Sequence, residues 1–162
     1  MPELAVHRGW RPGGTLLAAL HGCFAYGPGD DRATGYLWAD GEQDWPVPFA
    51  DHGPQLLADL QTCTGQRYTI CAFQAYRDGA GCGWHADSPF GAQAILSLGV
   101  TRTFGVRRTG GEPEWLQVAA GDLVVMPDGF QRDWEHCIPV EEDIHGERCS
   151  LVFRTRAEVA DG

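Results

Sequence analysis

The stretch CGWHADSPFG, residues 82–91, sets His85 and Asp87 two positions apart. Along an extended strand, side chains at i and i+2 share a face, so this pair can aim an imidazole and a carboxylate at one point. Alone, such a pair is also a common polar turn; a metal grip needs a third ligand. His136, in RDWEHCIPV, is the candidate. Taken singly, it reads sooner as a hydrogen-bonded, half-buried histidine beside Trp134. Two imidazoles and one carboxylate together would bind a divalent transition metal and leave three of its coordination positions open.

That donor set is the facial triad used by non-haem Fe(II) oxygenases, and the C-terminal stretch ERCSLVFRTR adds to it. Strand alternation puts Arg148, Ser150, Val152 and Arg154 on one face and Cys149, Leu151 and Phe153 on the other. Arginines on the inward face of an apolar strand are costly unless each meets an anion. A guanidinium fork suits a carboxylate, either of a small dicarboxylic acid or of the metal-ligating Asp. Residues 148 and 154 lie about 20 Å apart along a strand, so they cannot clamp one small molecule side by side. Arg148 therefore suits the far carboxylate of a cosubstrate, and Arg154 the metal end. The plain alternative is an edge strand with both arginines in solvent.

The elements that must position these residues are mostly short strands. RYTICAFQAY, AILSLGV, TRTFGVRR, EWLQVAAG, DLVVMP and ERCSLVFRTR follow one another, separated by Gly, Pro and Asp, and GYLWAD is a further candidate upstream. This pattern predicts a sandwich, barrel or jelly roll. One helix is predicted over residues 54–64, PQLLADLQTCT, with Leu56, Leu57 and Leu60 at helical spacing and Pro54 suited to the first turn. Residues 1–53, rich in Gly, Pro and Asp, read as loops and short strands. The expected architecture is a β-rich α+β fold in one domain over 1–162, with an N-terminal extension or lid (1–53) before the helix and jelly-roll core (54–162).

The charge narrows the partners. Twenty-two acidic against twelve basic residues give −10, and every basic residue is Arg. Nonspecific binding of long duplex DNA calls for a broad basic face, which this chain cannot offer. A small local patch around Arg102, Arg107 and Arg108 is the exception. No apolar run approaches the roughly 20 residues of a membrane span, and no secretory signal is legible, which places the chain in the cytoplasm. Its six cysteines form no CxxC pair and should be reduced there. Cys82, His85, His136 and Cys137 match no familiar structural zinc spacing.

Over residues 68–156 the chain resembles the AlkB family of Fe(II)/2-oxoglutarate dioxygenases. The blocks YRDG (76–79), WHAD (84–87), LSLGVTRTFGVR (96–107), GDLVVM (121–126), DWEHCIP (133–139) and RCSLVFR (148–154) occur in family order. Upstream, GYLW (35–38) followed by WPVP (45–48) is similar to the family's lid region. The resemblance implies a double-stranded β-helix, or jelly-roll, core. It implies iron held by His85, Asp87 and His136, 2-oxoglutarate contacted by Tyr76 and Arg148, and Arg154 supporting the chelating end. Gln74 and Ser150 stand where the family often has Asn, and both still hydrogen-bond. Tyr36 and Trp38 match the substrate-touching lid motif, though Trp38 reads equally as a core aromatic. The implied chemistry consumes O2 and 2-oxoglutarate, releases succinate, and hydroxylates a substrate C–H. On an N-alkyl group the product collapses and an aldehyde leaves.

The chain departs from the pattern just after the iron motif. Family members that repair alkylated bases usually carry acidic residues there, whereas this chain reads Ser88, Pro89, Phe90. Phe90 is a candidate to stack on a planar substrate, or simply to cap the core. The leading expectation is oxidative dealkylation of a nucleobase in single-stranded or short nucleic acid or in a nucleotide. The alternatives are hydroxylation of a small molecule at the same centre, and a jelly-roll binding module without catalysis.

Overall fold

A computed structural model describes residues 4–88 and 91–155 of the chain. In order, the elements are β1 (Ala5–His7), α1 (Gly14–His21), β2 (Arg32–Ala39), a 3₁₀ turn (Val47–Phe49), α2 (Gly53–Thr64), β3 (Ile70–Arg77) and β4 (Cys82–His85). There follow β5 (Gln93–Gly99), β6 (Arg102–Arg108), β7 (Glu114–Val118), β8 (Leu123–Met126), the single turn α3 (Phe130–Asp133), β9 (Trp134–Ile138) and β10 (Glu147–Arg154). The strands form two antiparallel sheets, a larger one in the order β1-β8-β5-β10-β3-β2 and a smaller one in the order β4-β9-β6-β7. This is the jelly-roll, or double-stranded β-helix, architecture expected from the sequence.

Alternation along the central strands builds two cores. Cys71, Phe73 and Ala75 of β3, Leu96 and Leu98 of β5, and Cys149, Leu151 and Phe153 of β10 face the helices, where Leu16, Leu20, Leu56 and Leu60 cover them. The intervening Ala72, Ile95 and Val152 face the smaller sheet and meet Phe104, Val106 and Ile138. A strand buried on both faces reads as a near-continuous apolar run, as in AILSLG and SLVF. The polar interruptions Arg148 and Ser150 therefore stand out as demanding partners. At the end of β5 the chain turns through Gly99 at φ 81°, where a Cβ would sit 2.1 Å from the Glu147 carbonyl oxygen. Only glycine permits β10 to start that close.

Helix α2 begins at Gly53 with Pro54 in its first turn and ends on left-handed Gly65, whose N–H returns to the Gln61 carbonyl. The reading of residues 1–53 as loops and short strands is corrected at one place: Gly14–His21 is helical and seats Leu16 and Leu20 in the larger core. Its apolar run was too short to declare a helical period, and the packing decides it. Among the described residues no helix is long and apolar enough to cross a membrane.

Candidate metal centre

Strand β4 delivers His85 at its end, directly opposite His136 of β9 in the ladder register. The two rings lie 4.3 Å apart. Asp87, two residues past the strand, brings its carboxylate between them: Oδ1 is 3.7 Å from His85 Nε2 and Oδ2 is 3.3 Å from His136 Nε2. One ligand atom from each residue falls within 4.8 Å of the others. His85 Nδ1 faces the Gly83 carbonyl oxygen at 2.8 Å, which fixes the ring with Nε2 toward Asp87. Such a bond on the far nitrogen is the usual support of a metal-binding histidine. His136 is buried against Phe104, whose ring is nearly parallel to it.

The electrostatics follow from this packing. Burial pushes the Asp87 carboxyl up, but the neighbouring His136, with Gln93 and His85, outweighs it and holds the group well below the usual carboxylate range. Burial depresses His136, opposed by its contact with Asp87. The two shifts favour neutral His136 beside ionised Asp87, the protonation states in which these two groups ligate.

Two residues absent from the sequence reading complete the support. Gln93 Nε2 donates to Asp87 Oδ2 at 3.1 Å, and the Asp87 N–H donates to Gln131 Oε1 at 2.9 Å. Both amides are buried. Glutamine is ordinarily a surface residue, so nothing in its type or spacing marked these two.

The same cavity is lined by Gln74, Tyr76, Arg148 and Ser150 beside the three candidate ligands. Arg148 is fully buried, and burial lowers its guanidinium to about 10. Among the described residues its Nε has no hydrogen-bond partner, and its Nη2 reaches only Ser97 Oγ at 3.4 Å. A buried cation so poorly paired fits an anion supplied from outside the protein. Tyr76, also buried, donates its hydroxyl to Gln74 Oε1 at 2.6 Å and presents its ring 5.8 Å from Arg148 Cζ. Arg154 stands at the other end of β10, in register with Gln93, and borders an adjoining open depression with Tyr36 and Gln74.

Other residues singled out by sequence lie elsewhere. Trp38 is not brought to this site: a register shift between Tyr36 and Trp38 turns it to the helix face, where it stacks on Trp45 at 5.4 Å. Phe90 and Pro89 lie outside the described residues. The local basic patch is not free. Arg102 is buried and bonded to Glu141 and to the carbonyls of Gly79, Ala80 and Pro139, while Arg107 pairs with Glu135 over the Trp84 ring.

Comparison with known proteins gives this geometry a context. A family model for the 2OG-Fe(II) oxygenase superfamily matches residues 31–154. Rat alpha-ketoglutarate-dependent dioxygenase alkB homolog 3 is 29% identical over 116 residues, a match covering 62% of this chain and 39% of that protein. The chain thus spans about two-fifths of that relative's length. Among solved structures, OsALKBH1 superposes with a TM-score of 0.70 at 14% identity, covering 96% of this chain and 98% of that one. A Pseudomonas putida prolyl-4-hydroxylase superposes with a TM-score of 0.61 at 20% identity, covering 95% and 93%. At such identities the superpositions speak for the fold.

Proposed function

This chain belongs to the 2OG-Fe(II) oxygenase superfamily, and from that premise we propose that it removes an alkyl group oxidatively from a nucleobase nitrogen, in a single-stranded or short nucleic acid or a nucleotide. It is an oxidoreductase of AlkB-like type, and its family uses Fe(II), 2-oxoglutarate and O2. The observation that carries the site assignment is the convergence of His85, Asp87 and His136 on a cavity that also holds a buried Arg148 whose Nε has no partner among the described residues.

The residues fit the cofactors. Two imidazole nitrogens and one carboxylate are the donors that suit Fe(II) and leave open positions. When bound, iron supplies the oxidative chemistry: 2-oxoglutarate is decarboxylated to succinate and CO2, one oxygen atom of O2 entering succinate and the other the substrate C–H. The protein's part is placement. His85, Asp87 and His136 would hold the metal, with Gln93 bonding the Asp87 carboxylate and Gln131 its backbone N–H. Arg148 takes the far carboxylate of 2-oxoglutarate in charge-assisted bonds, with Tyr76, Gln74 and Ser150 around it. Arg154 supports the metal end, near Gln93. Tyr36, more than half exposed beside Arg154 and Gln74, offers a ring on which a planar base can rest. Phe104 and Val152 give the cavity two apolar walls.

A second reading keeps the centre and hydroxylates a small molecule. The charge of −10 and the internal pairing of Arg102 and Arg107 favour it, since little cationic surface is left for a phosphate backbone. Succinate formation separates the two. Purified chain with Fe(II), ascorbate and 2-oxoglutarate is offered N-methylated single-stranded oligonucleotides, the same sequences as duplex, methylated nucleotides and a small-molecule panel. Aldehyde release from a methylated strand or nucleotide, matched by succinate, is the expected result. Turnover coupled only to non-nucleotide substrates would replace the first reading with the second.

A further inference from the structure

We propose that His21, Glu147 and Cys149 form a second metal site, distinct from the candidate iron centre and suited to a thiophilic divalent ion such as zinc. The site follows from the same alternation that builds the first. Arg148 points between the sheets, so its neighbours Glu147 and Cys149 both point to the helix side of β10. There they meet His21, the last residue of α1. One ligand atom from each of the three lies within 4.8 Å of the others.

The donors are one imidazole nitrogen, one carboxylate oxygen and one sulfur, each a zinc ligand type. A hard ion such as Mg²⁺ or Ca²⁺ gains nothing from the sulfur, which sets the preference. Ionised Glu147 and a metal-bound thiolate would together balance a divalent charge. Support for the carboxylate is already built: Tyr26 donates its hydroxyl to Glu147 Oε2 at 2.6 Å, leaving Oε1 turned toward His21 Nε2 at 2.5 Å. This matches the outer contacts that orient metal-bound carboxylates. Cys149 closes the inner side, fully buried.

Tetrahedral zinc with bonds of about 2.1 Å holds its nitrogen and oxygen ligands about 3.4 Å apart. His21 must therefore withdraw from Glu147 by about 1 Å. It can, because it ends its helix and half of its side chain is exposed. That open flank also leaves the fourth position to water. Three protein ligands and a water make an open zinc site, unlike the closed four-ligand structural ones.

The test is cobalt(II) titration of the reduced, metal-free full chain, followed by zinc competition. Two cobalt ions per chain are expected, one of them giving a thiolate-to-cobalt charge-transfer band in the near ultraviolet. His21→Ala, which alters only a half-exposed side chain, and Cys149→Ser should each remove that band and one equivalent of metal. His85→Ala should remove the other equivalent and leave the band. A single cobalt per chain with no thiolate band overturns the proposal and leaves His21 and Glu147 as a hydrogen-bonded pair over a buried thiol. So does a band that survives His21→Ala and disappears in Cys82→Ser, since Cys82 lies 3.6 Å from His85 Nδ1.

Discussion

Gln131 Nε2 donates to Gln93 Oε1 at 3.1 Å, joining α3 to β5 beneath the carboxylate of Asp87. The two amides thereby act as one support, Gln93 bonding the Asp87 side chain and Gln131 its backbone. Outer contacts of this kind typically change metal affinity about 10–100-fold. Gln131→Leu should raise the Fe(II) concentration for half-maximal succinate formation by about that factor. Saturating iron should restore much of kcat, because no ligand has been removed. An unchanged iron requirement would show that Asp87 is held by its own loop.

His85→Ala removes one of the three proposed iron ligands outright. Its side chain is 31% exposed at the end of an outer strand of the smaller sheet, so the fold should persist with an unchanged far-ultraviolet dichroism spectrum. Succinate formation should fall below detection even with excess Fe(II). His136→Ala should do the same and also cost stability, since that ring is buried against Phe104. Turnover near the wild-type rate in His85→Ala would remove this cluster from the mechanism.

The faces of β10 were legible in the sequence because period-2 alternation is rigid: Cys149, Leu151 and Phe153 could only share a side, leaving Arg148 and Ser150 opposite. Helix α2 was legible from Pro54 and its leucines. The environment of Trp38 was not, because a bulge lets the chain break alternation, and composition does not announce a bulge. The two glutamines were hidden for a different reason. Their role depends on burial imposed by α3 and β5 together, a tertiary fact that neither local stretch contains. Helix α1 is likewise decided by what covers it.

The role proposed for Arg148 separates cosubstrate binding from metal binding. Charge-assisted hydrogen bonds contribute roughly 1.5–3 kcal/mol each, so Arg148→Met should raise KM for 2-oxoglutarate by on the order of 10–100-fold or more. Methionine keeps an unbranched chain in the buried space. Arg148→Lys should also bind poorly, since a point charge does not reproduce the fork. Fe(II) binding measured without 2-oxoglutarate should be unaffected by either change. A normal KM in both variants would mean that the buried guanidinium has another task.

Asp122 offers a test of stability away from the cavity. Its carboxylate accepts the N–H groups of Gly9 and Ala119, each at 2.9 Å, and pairs with Arg8 at 2.7 Å, tying β1 to the turn between β7 and β8. Burial pushes this carboxyl up, and the Ala119 and Gly9 N–H groups with Arg8 outweigh it, so its folded value lies below the ordinary one. A depressed value means that the unfolded chain binds the proton more readily. The group therefore stabilises the fold fully above the unfolded range near pH 4, and the contribution is lost as pH falls through that range toward the folded value. Asp122→Asn should cost about 1–3 kcal/mol at pH 7, read from urea unfolding. The gap between wild type and variant should narrow steadily between about pH 5 and pH 3. A gap that stays constant across that interval would show that the carboxylate's shape, and not its charge, holds the turn.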